Sequence, residues 1–331
     1  MSPLVTNLLT LAGGLALLLV GGQLLVRGAV ALATRLGVST LLIGLTIVAW
    51  GTSAPELFLN ITAALSDKAQ LSFGNLVGAN IANIGLILGI GAMIRPIAVN
   101  TTIVRTELPI TLAFLVLMAA AGLIAYPIGG AQSARLVGGL LLLCFAGYGL
   151  YAVRIGLKER RADRPLGREV EAATSDTQHI PIWITAMLLV GGAALLKFGG
   201  DFAVTGASKL AEAFDVPKDV VGLTIVAFGT TLPELVTMIT AQRRGQGDLV
   251  VGNALGSCLF NAGAIFGSVL IISPIPLPAG GAVALAVMVG LGLLIIPLTI
   301  SDRYHLVRAE GAILVGVYIC FTGYQVWRAV G

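Results

Sequence analysis

Residues Gly44–Leu57 read GLTIVAWGTSAPEL, and 178 positions later Gly222–Leu235 read GLTIVAFGTTLPEL. A second pair keeps the same offset: Gly74-Asn75, Gly78, Asn83, Gly85 and Gly89 match Gly252-Asn253, Gly256, Asn261, Gly263 and Gly267. Extended outward without a gap, residues 22–97 align with 200–275, and 32 of the 76 positions are identical. Biased composition can align Leu, Ala and Gly. It does not align Thr-x-x-Pro-Glu and paired Asn at one offset, so the chain is an internal duplication.

The duplicated unit is membrane-spanning. The chain has 331 residues, 57% hydrophobic and 11% charged, whereas a soluble domain is roughly 45–50% apolar and about 25% charged. A net charge of +4 with scattered basic residues excludes nucleic-acid binding. Cys144, Cys258 and Cys320 all lie in apolar stretches and are read as small buried hydrophobes rather than disulfide partners. Apolar runs of about 20 residues fit spanning helices. Ten are expected, at 3–25, 38–65, 71–94, 103–126, 133–156, 180–204, 217–241, 248–272, 279–300 and 308–328. The runs are too long and too uniform for strands. Met1–Leu19 lacks a basic leader and a cleavage site, so it is read as the first span and not a signal peptide.

The polar stretch Lys158–Gln178 separates two five-helix halves, residues 1–157 and 179–331. Five is odd, so the second copy enters the membrane inverted. With both termini outside, 14 of the 20 Lys and Arg residues fall on one side, Arg27, Arg35, Arg95, Arg105 and the linker among them. That side is expected to be cytoplasmic, in a multi-pass protein of the cell (inner) membrane. Asn100-Thr101-Thr102 matches a glycosylation acceptor but falls on the cytoplasmic side and is set aside.

Inverted repeats place a substrate site at the bilayer midplane, where broken helices meet. Pro55 and Pro233 supply the breaks, each removing an N–H and freeing the carbonyl four residues earlier, at Gly51 and Gly229. Most of the 16 acidic residues fall in loops or at helix ends. Glu56 and Glu234 do not, and a mid-membrane carboxylate costs at least about 2.5 kcal/mol. The second, third, seventh and eighth spans carry no basic residue at comparable depth, so a salt bridge is disfavoured and an external cation is implied. Thr52, Ser53, Thr230 and Thr231 lie one turn before the glutamates on the same face, and Asn83 and Asn261 offer amide oxygens from the following span. Ser257 adds a hydroxyl where its repeat counterpart is Ala79. Hard oxygen donors suit Na⁺ or Ca²⁺. The glycine pairs Gly74/Gly78, Gly85/Gly89, Gly252/Gly256 and Gly263/Gly267 are read as close helix packing.

GTSAPEL and GTTLPEL, each followed by GN-x-x-G-x-x-x-x-N, resemble the two alpha repeats of the cation/calcium antiporter superfamily. The nearest branch is the prokaryotic sodium/calcium exchangers, with their potassium-dependent-type relatives. The resemblance implies a diamond of ion sites around Glu56 and Glu234, with Ca²⁺ also held by the main-chain carbonyls of Thr52 and Thr230. It implies Na⁺ sites using Ala49, Ser53, Ser257, Ala227 and Thr231. It implies, too, that the first and sixth spans slide across the other eight. Two positions depart from the family pattern: Asn261 stands where archaeal-type and animal exchangers carry Asp, and Ala79 where they carry Ser. The core is therefore less anionic. The glutamate that follows Gly-Asn in the proton-coupled branch is absent, as Leu76 and Ala254 occupy those positions.

The expected function is an antiporter exporting Ca²⁺ against Na⁺. The alternatives are proton-coupled exchange of Ca²⁺ or another cation (Mg²⁺, Mn²⁺, Na⁺), and passive cation permeation. Inorganic cations and the bilayer are the expected partners, with no cofactor, no nucleic acid and no protein partner. An embedded metalloprotease would want His and Glu at ligand spacing, and the two histidines, His179 and His305, lie at loop edges.

Overall fold

Lipid offers the backbone no hydrogen-bond partners, so apolar runs of this length must satisfy themselves as helices. The computed structural model describes residues 3–65, 69–99, 101, 103–161, 180–213, 229, 231–274, 277–278, 280–301 and 304–330. In chain order the helices are α1 (Pro3–Leu36), α2 (Thr40–Thr52), α3 (Ala54–Leu65), α4 (Ser72–Ile94), α5 (Ile103–Ile124) and α6 (Tyr126–Arg161). After the linker come α7 (Ile182–Ala213), α8 (Leu232–Arg243), α9 (Gly247–Ile272), α10 (Gly281–Ser301) and α11 (Arg308–Val330). Among the described residues eight helices are long and apolar enough to cross a membrane, or nine if the α2–α3 pair counts as one span. Residues 217–228 and 230 of the expected span at 217–241, and most of the linker, lie outside the described residues.

The outer helices turn large apolar side chains outward: Phe58, Leu143, Val190 and Trp327 are all exposed. The expectation of three buried cysteines needs correcting on the same ground. Cys258 is buried, Cys144 half-buried, and Cys320 exposed on α11, where an apolar surroundings replaces a core. Several helices outrun their expected bounds. α1 continues to Leu36, which carries Arg27 and Arg35 on the helix rather than in a loop. α6 begins at Tyr126 and bends at Gly130, whose φ of 61° suits glycine. A two-residue antiparallel ladder, absent from the sequence reading, pairs β1 (Ile97–Ala98) with β2 (His305–Leu306) and ties two interhelical loops together.

Glycine sets the closest helix contacts. On α1, Gly14 faces Gly199 and Ala203, Gly21 faces Gly192 and Leu196, and Gly28 faces Leu188 and Leu189. The numbering runs in opposite senses, so α1 and α7 lie antiparallel along a seam with seven-residue spacing. Across the centre, a Cβ at Gly252 would sit 2.5 Å from the Leu41 carbonyl oxygen, and one at Gly256 would strike the Leu45 carbonyl. α2 and α9 therefore touch backbone to backbone. Gly89 does the same against Gly311 of α11 and Gly267 against Gly138 of α6, while Gly85 packs on Tyr318 of α11 and Gly263 under the Phe114 and Phe145 side chains. Gly74 and Gly78 differ, since no described residue approaches them.

Candidate functional site

The α2–α3 pair bends by 49° at Ser53. Ser53 has φ −89° and ψ 8°, and its repeat counterpart Thr231, at the start of α8, has φ −92° and ψ 0°. Proline follows two residues later in both cases, in the first helical turn where its missing N–H is tolerated. The helix restarts identically, with Leu57 N donating to Ser53 O (3.2 Å) and Leu235 N to Thr231 O (3.0 Å). Each break leaves its glutamate in a first helical turn, an end that favours negative charge.

The two halves interlock at these breaks. Ser53 Oγ lies 3.2 Å from Glu234 Oε1 and 3.0 Å from Ser257 Oγ. Thr52 Oγ1, also beside Glu234, lies 3.1 Å from Val48 O and 3.3 Å from Asn253 Oδ1. Glu56 and Glu234 are each 3% exposed. Below Glu56, Asn60 Nδ2 donates to the Glu56 carbonyl (2.7 Å) and to Asn75 Oδ1 (2.9 Å), while Ser72 Oγ donates to Asn60 Oδ1 (2.7 Å). Asn83 and Asn261 sit where α4 and α9 widen into π-helical turns, Ala82–Leu88 and Phe260–Ile265, features that recur at functional sites.

Among the buried side-chain atoms that find no hydrogen-bond partner in the described residues are Glu56 Oε2, Glu234 Oε2, Asn83 Oδ1 and Asn261 Oδ1; the Thr111, Ser208 and Thr237 hydroxyls and Asn253 Nδ2 are others. Buried polar atoms are nearly always satisfied; the four carboxylate and amide oxygens are acceptors, and Asn253 Nδ2 near them is an unpartnered donor. No Lys, Arg or His is among the buried described residues. A cation would complete this set; another acceptor would not. The donors are hard oxygens, and no His/Cys/Asp/Glu cluster of three occurs among the described residues to suit a softer metal.

Of the expected site residues, Glu234, Thr52, Ser53 and Ser257 join one network. Glu56 lies buried near Ser53 in sequence and is bonded through its main-chain carbonyl to Asn60, and Asn83 and Asn261 lie on α4 and α9. Thr231 takes the helix-capping position. Ala49 lies in the same helix, but its carbonyl already accepts from Ser53 N (3.0 Å) and Thr52 Oγ1 (3.3 Å). Thr230 and Ala227 lie outside the described residues. Sequence reasoning missed Asn60, Asn80 and Asn253. Asn253 could have been found, because it repeats Asn75 at the common offset. Asn60 and Asn80 could not, since their counterparts are Met238 and Cys258. It also passed over Glu107, which lies at a helix start yet is buried and accepts from Tyr148 Oη at 3.1 Å.

The family model described as "Sodium/calcium exchanger protein" matches residues 6–154 and 184–327. CaxA of Alkalimonas amylolytica, which carries an antiporter name, is 35% identical over 315 residues, 94% of this chain and 95% of that one. The sodium/calcium exchanger MaX1 of Methanosarcina acetivorans is 28% identical over 95% of this chain and 97% of its own length. Among solved structures, the sodium-calcium exchanger NCX_Mj soaked with Na⁺ and Sr²⁺ superposes with a TM-score of 0.80 at 29% identity, covering 96% of this chain and 97% of that one. The relatives are multi-pass membrane proteins, and this chain is a member of the sodium/calcium exchanger family.

Proposed function

We propose that the protein is a secondary active antiporter that moves Ca²⁺ out of the cell in exchange for Na⁺, binding both between Glu56 and Glu234. It is a transporter and not an enzyme. The observation that carries this reading is the pair of buried carboxylates, Glu56 and Glu234, whose Oε2 atoms, like Asn83 Oδ1 and Asn261 Oδ1, have no hydrogen-bond partner among the described residues. Thr52, Ser53, Thr231 and Ser257 complete the polar wall, with the Thr230 and Ala227 carbonyls as the counterpart ligands in the second half. Ten spans, in two halves (1–157 and 179–331) of opposite orientation, place the site at mid-membrane. The antiparallel α1–α7 seam and the matching Ser53 and Thr231 backbones support that arrangement. Both termini are extracytoplasmic and the 158–178 linker cytoplasmic, in the cell membrane. The glycine seam lets α1 and α7 move as a pair across the rest, so that the site faces each side in turn.

With Asn at 83 and 261 the formal charge of the site is −2, balanced by one Ca²⁺ or by two monovalent ions. Proton exchange is the second reading, favoured by the same balance, because two protons also neutralise the pair. Loading proteoliposomes with Na⁺ and adding external ⁴⁵Ca²⁺ tests the proposal. Uptake that needs the outward Na⁺ gradient supports Na⁺ coupling. Uptake driven by a pH gradient in Na⁺-free medium supports the second reading, and uptake with neither gradient points to a channel.

A further inference from the structure

Asn80 stands outside the four-oxygen set, yet it controls which way one member points. It is wholly buried on α4, three residues before Asn83. Asn261 Nδ2 donates to Asn80 Oδ1 at 3.3 Å. The other end of the Asn80 amide faces two thioethers, Met118 Sδ of α5 at 3.6 Å and Met288 Sδ of α10 at 3.7 Å. Both methionines are fully buried. A thioether sulfur carries lone pairs and no hydrogen, so it can only accept. Turning Asn80 over would set its carbonyl oxygen against two sulfurs and its NH₂ against the NH₂ of Asn261. The handedness therefore passes along the chain of contacts. The sulfurs take the Asn80 NH₂, the Asn80 carbonyl takes the Asn261 NH₂, and the Asn261 carbonyl oxygen is left without a donor.

We propose that Asn80 is a positioning residue: held by the Met118–Met288 pair, it locks Asn261 with its carbonyl oxygen turned into the cation site. The inference rests on the site proposed above. The repeat makes it specific to one half. The counterpart of Asn80 is Cys258, whose thiol lies beside the Asn83 side chain and 3.9 Å from the main-chain carbonyl oxygen of Asn80. Each half thus supplies the neighbour of the other half's asparagine. A thiol is a weak partner and does not sort the two ends of an amide as another amide does. Asn261 is therefore a prealigned ligand and Asn83 an adjustable one, and prealignment raises affinity by removing an ordering cost on binding.

The test is a double-mutant cycle between positions 80 and 261, read as KM and turnover for ⁴⁵Ca²⁺ flux in proteoliposomes. Asn80→Cys copies the repeat counterpart. It is expected to raise the KM for Ca²⁺ about tenfold, the equivalent of ~1.4 kcal/mol, with turnover at saturating Ca²⁺ within about twofold of wild type. In an Asn261→Ala background the same change should do nothing further, whereas in Asn83→Ala it should keep its full effect. A merely structural role would weaken all three proteins alike, and that additivity overturns the inference. Should Asn80→Cys fail to fold, Met118→Leu/Met288→Leu removes the sulfurs at similar volume. It must then raise KM only where Asn261 is present, and no change, or a change independent of Asn261, overturns the inference. Absence of saturable Ca²⁺ flux in wild type, or an unchanged KM in Asn261→Ala, overturns the site itself and this inference with it. An additive cycle with those controls intact removes Asn80 alone.

Discussion

Replacing Glu234 by Gln separates the two consequences of its carboxylate, because they have opposite signs. Gln keeps the shape and removes the charge. At an effective dielectric of ~20, unit charges about 4 Å apart interact by about 4 kcal/mol, and a divalent ion doubles that. Desolvating the carboxylate offsets several kcal/mol. The remainder, roughly 3–4 kcal/mol, corresponds to a Ca²⁺ affinity lower by two to three orders of magnitude. Without cations the sign reverses, since Glu56 and Glu234 are both buried and two carboxylates sharing a site repel each other. Glu234→Gln should therefore melt no lower than wild type in chelator. It should lose the stabilisation that wild type gains from Ca²⁺, about 2.7 kcal/mol at a hundred times Kd. Glu56→Gln should behave the same way. Isothermal titration in nanodiscs and paired melting curves with and without Ca²⁺ read both quantities. Ca²⁺ binding within threefold of wild type would refute the shared site. A large drop in melting temperature in chelator would mean that the carboxylate is paired within the protein, which also contradicts the account.

Acid should compete with Ca²⁺: each proton on Glu56 or Glu234 removes a charge the cation needs. Flux at sub-saturating Ca²⁺ is therefore expected to fall between about pH 8 and about pH 5.5 and to recover when Ca²⁺ is raised, and a flat profile would count against this. Asn261→Asp adds a third carboxylate to a site already balanced for Ca²⁺, so the Na⁺ or pH dependence of ⁴⁵Ca²⁺ flux should steepen, with Asn83→Asp as the control from the other half. If neither substitution alters coupling or affinity, the asparagines are helix contacts rather than ligands. Gly252→Val would push α2 from α9, because even a Cβ there meets the Leu41 carbonyl oxygen at 2.5 Å. A loss of about 1–3 kcal/mol in stability is expected from overpacking, read as a lower melting temperature in chelator.

The duplication made the central fold legible. A fixed offset of 178 pairs Ser53 with Thr231 and Glu56 with Glu234, and the two described breaks have nearly the same backbone angles. Hydropathy marked the eight or nine spans seen among the described residues but not their ends. Helices such as α1 run past the apolar stretch, because hydrogen bonding along a helix does not stop where the polarity changes. What the repeat could not reveal was whatever breaks it. Asn60 and Asn80 have apolar or thiol counterparts, and only three-dimensional contact shows Asn60 bound to the Glu56 carbonyl and Asn80 to Asn261. Glu107 was passed over for a related reason: its burial depends on Tyr148, 41 residues away along the chain. Cys320 was misjudged because an apolar sequence in a membrane protein marks a lipid-facing surface as readily as a core.

The central claim is that one divalent ion sits between Glu56 and Glu234 with Asn83 and Asn261 beside it. Anomalous diffraction from crystals soaked in Sr²⁺, a divalent stand-in for Ca²⁺, tests it most directly. The account predicts a single strong anomalous peak within coordination distance of Oε2 of both glutamates, roughly 2.3–2.6 Å for a Ca²⁺-like ion, and its disappearance in Glu234→Gln crystals soaked identically. A peak elsewhere, or an undiminished peak in the Glu234→Gln crystals, would contradict it.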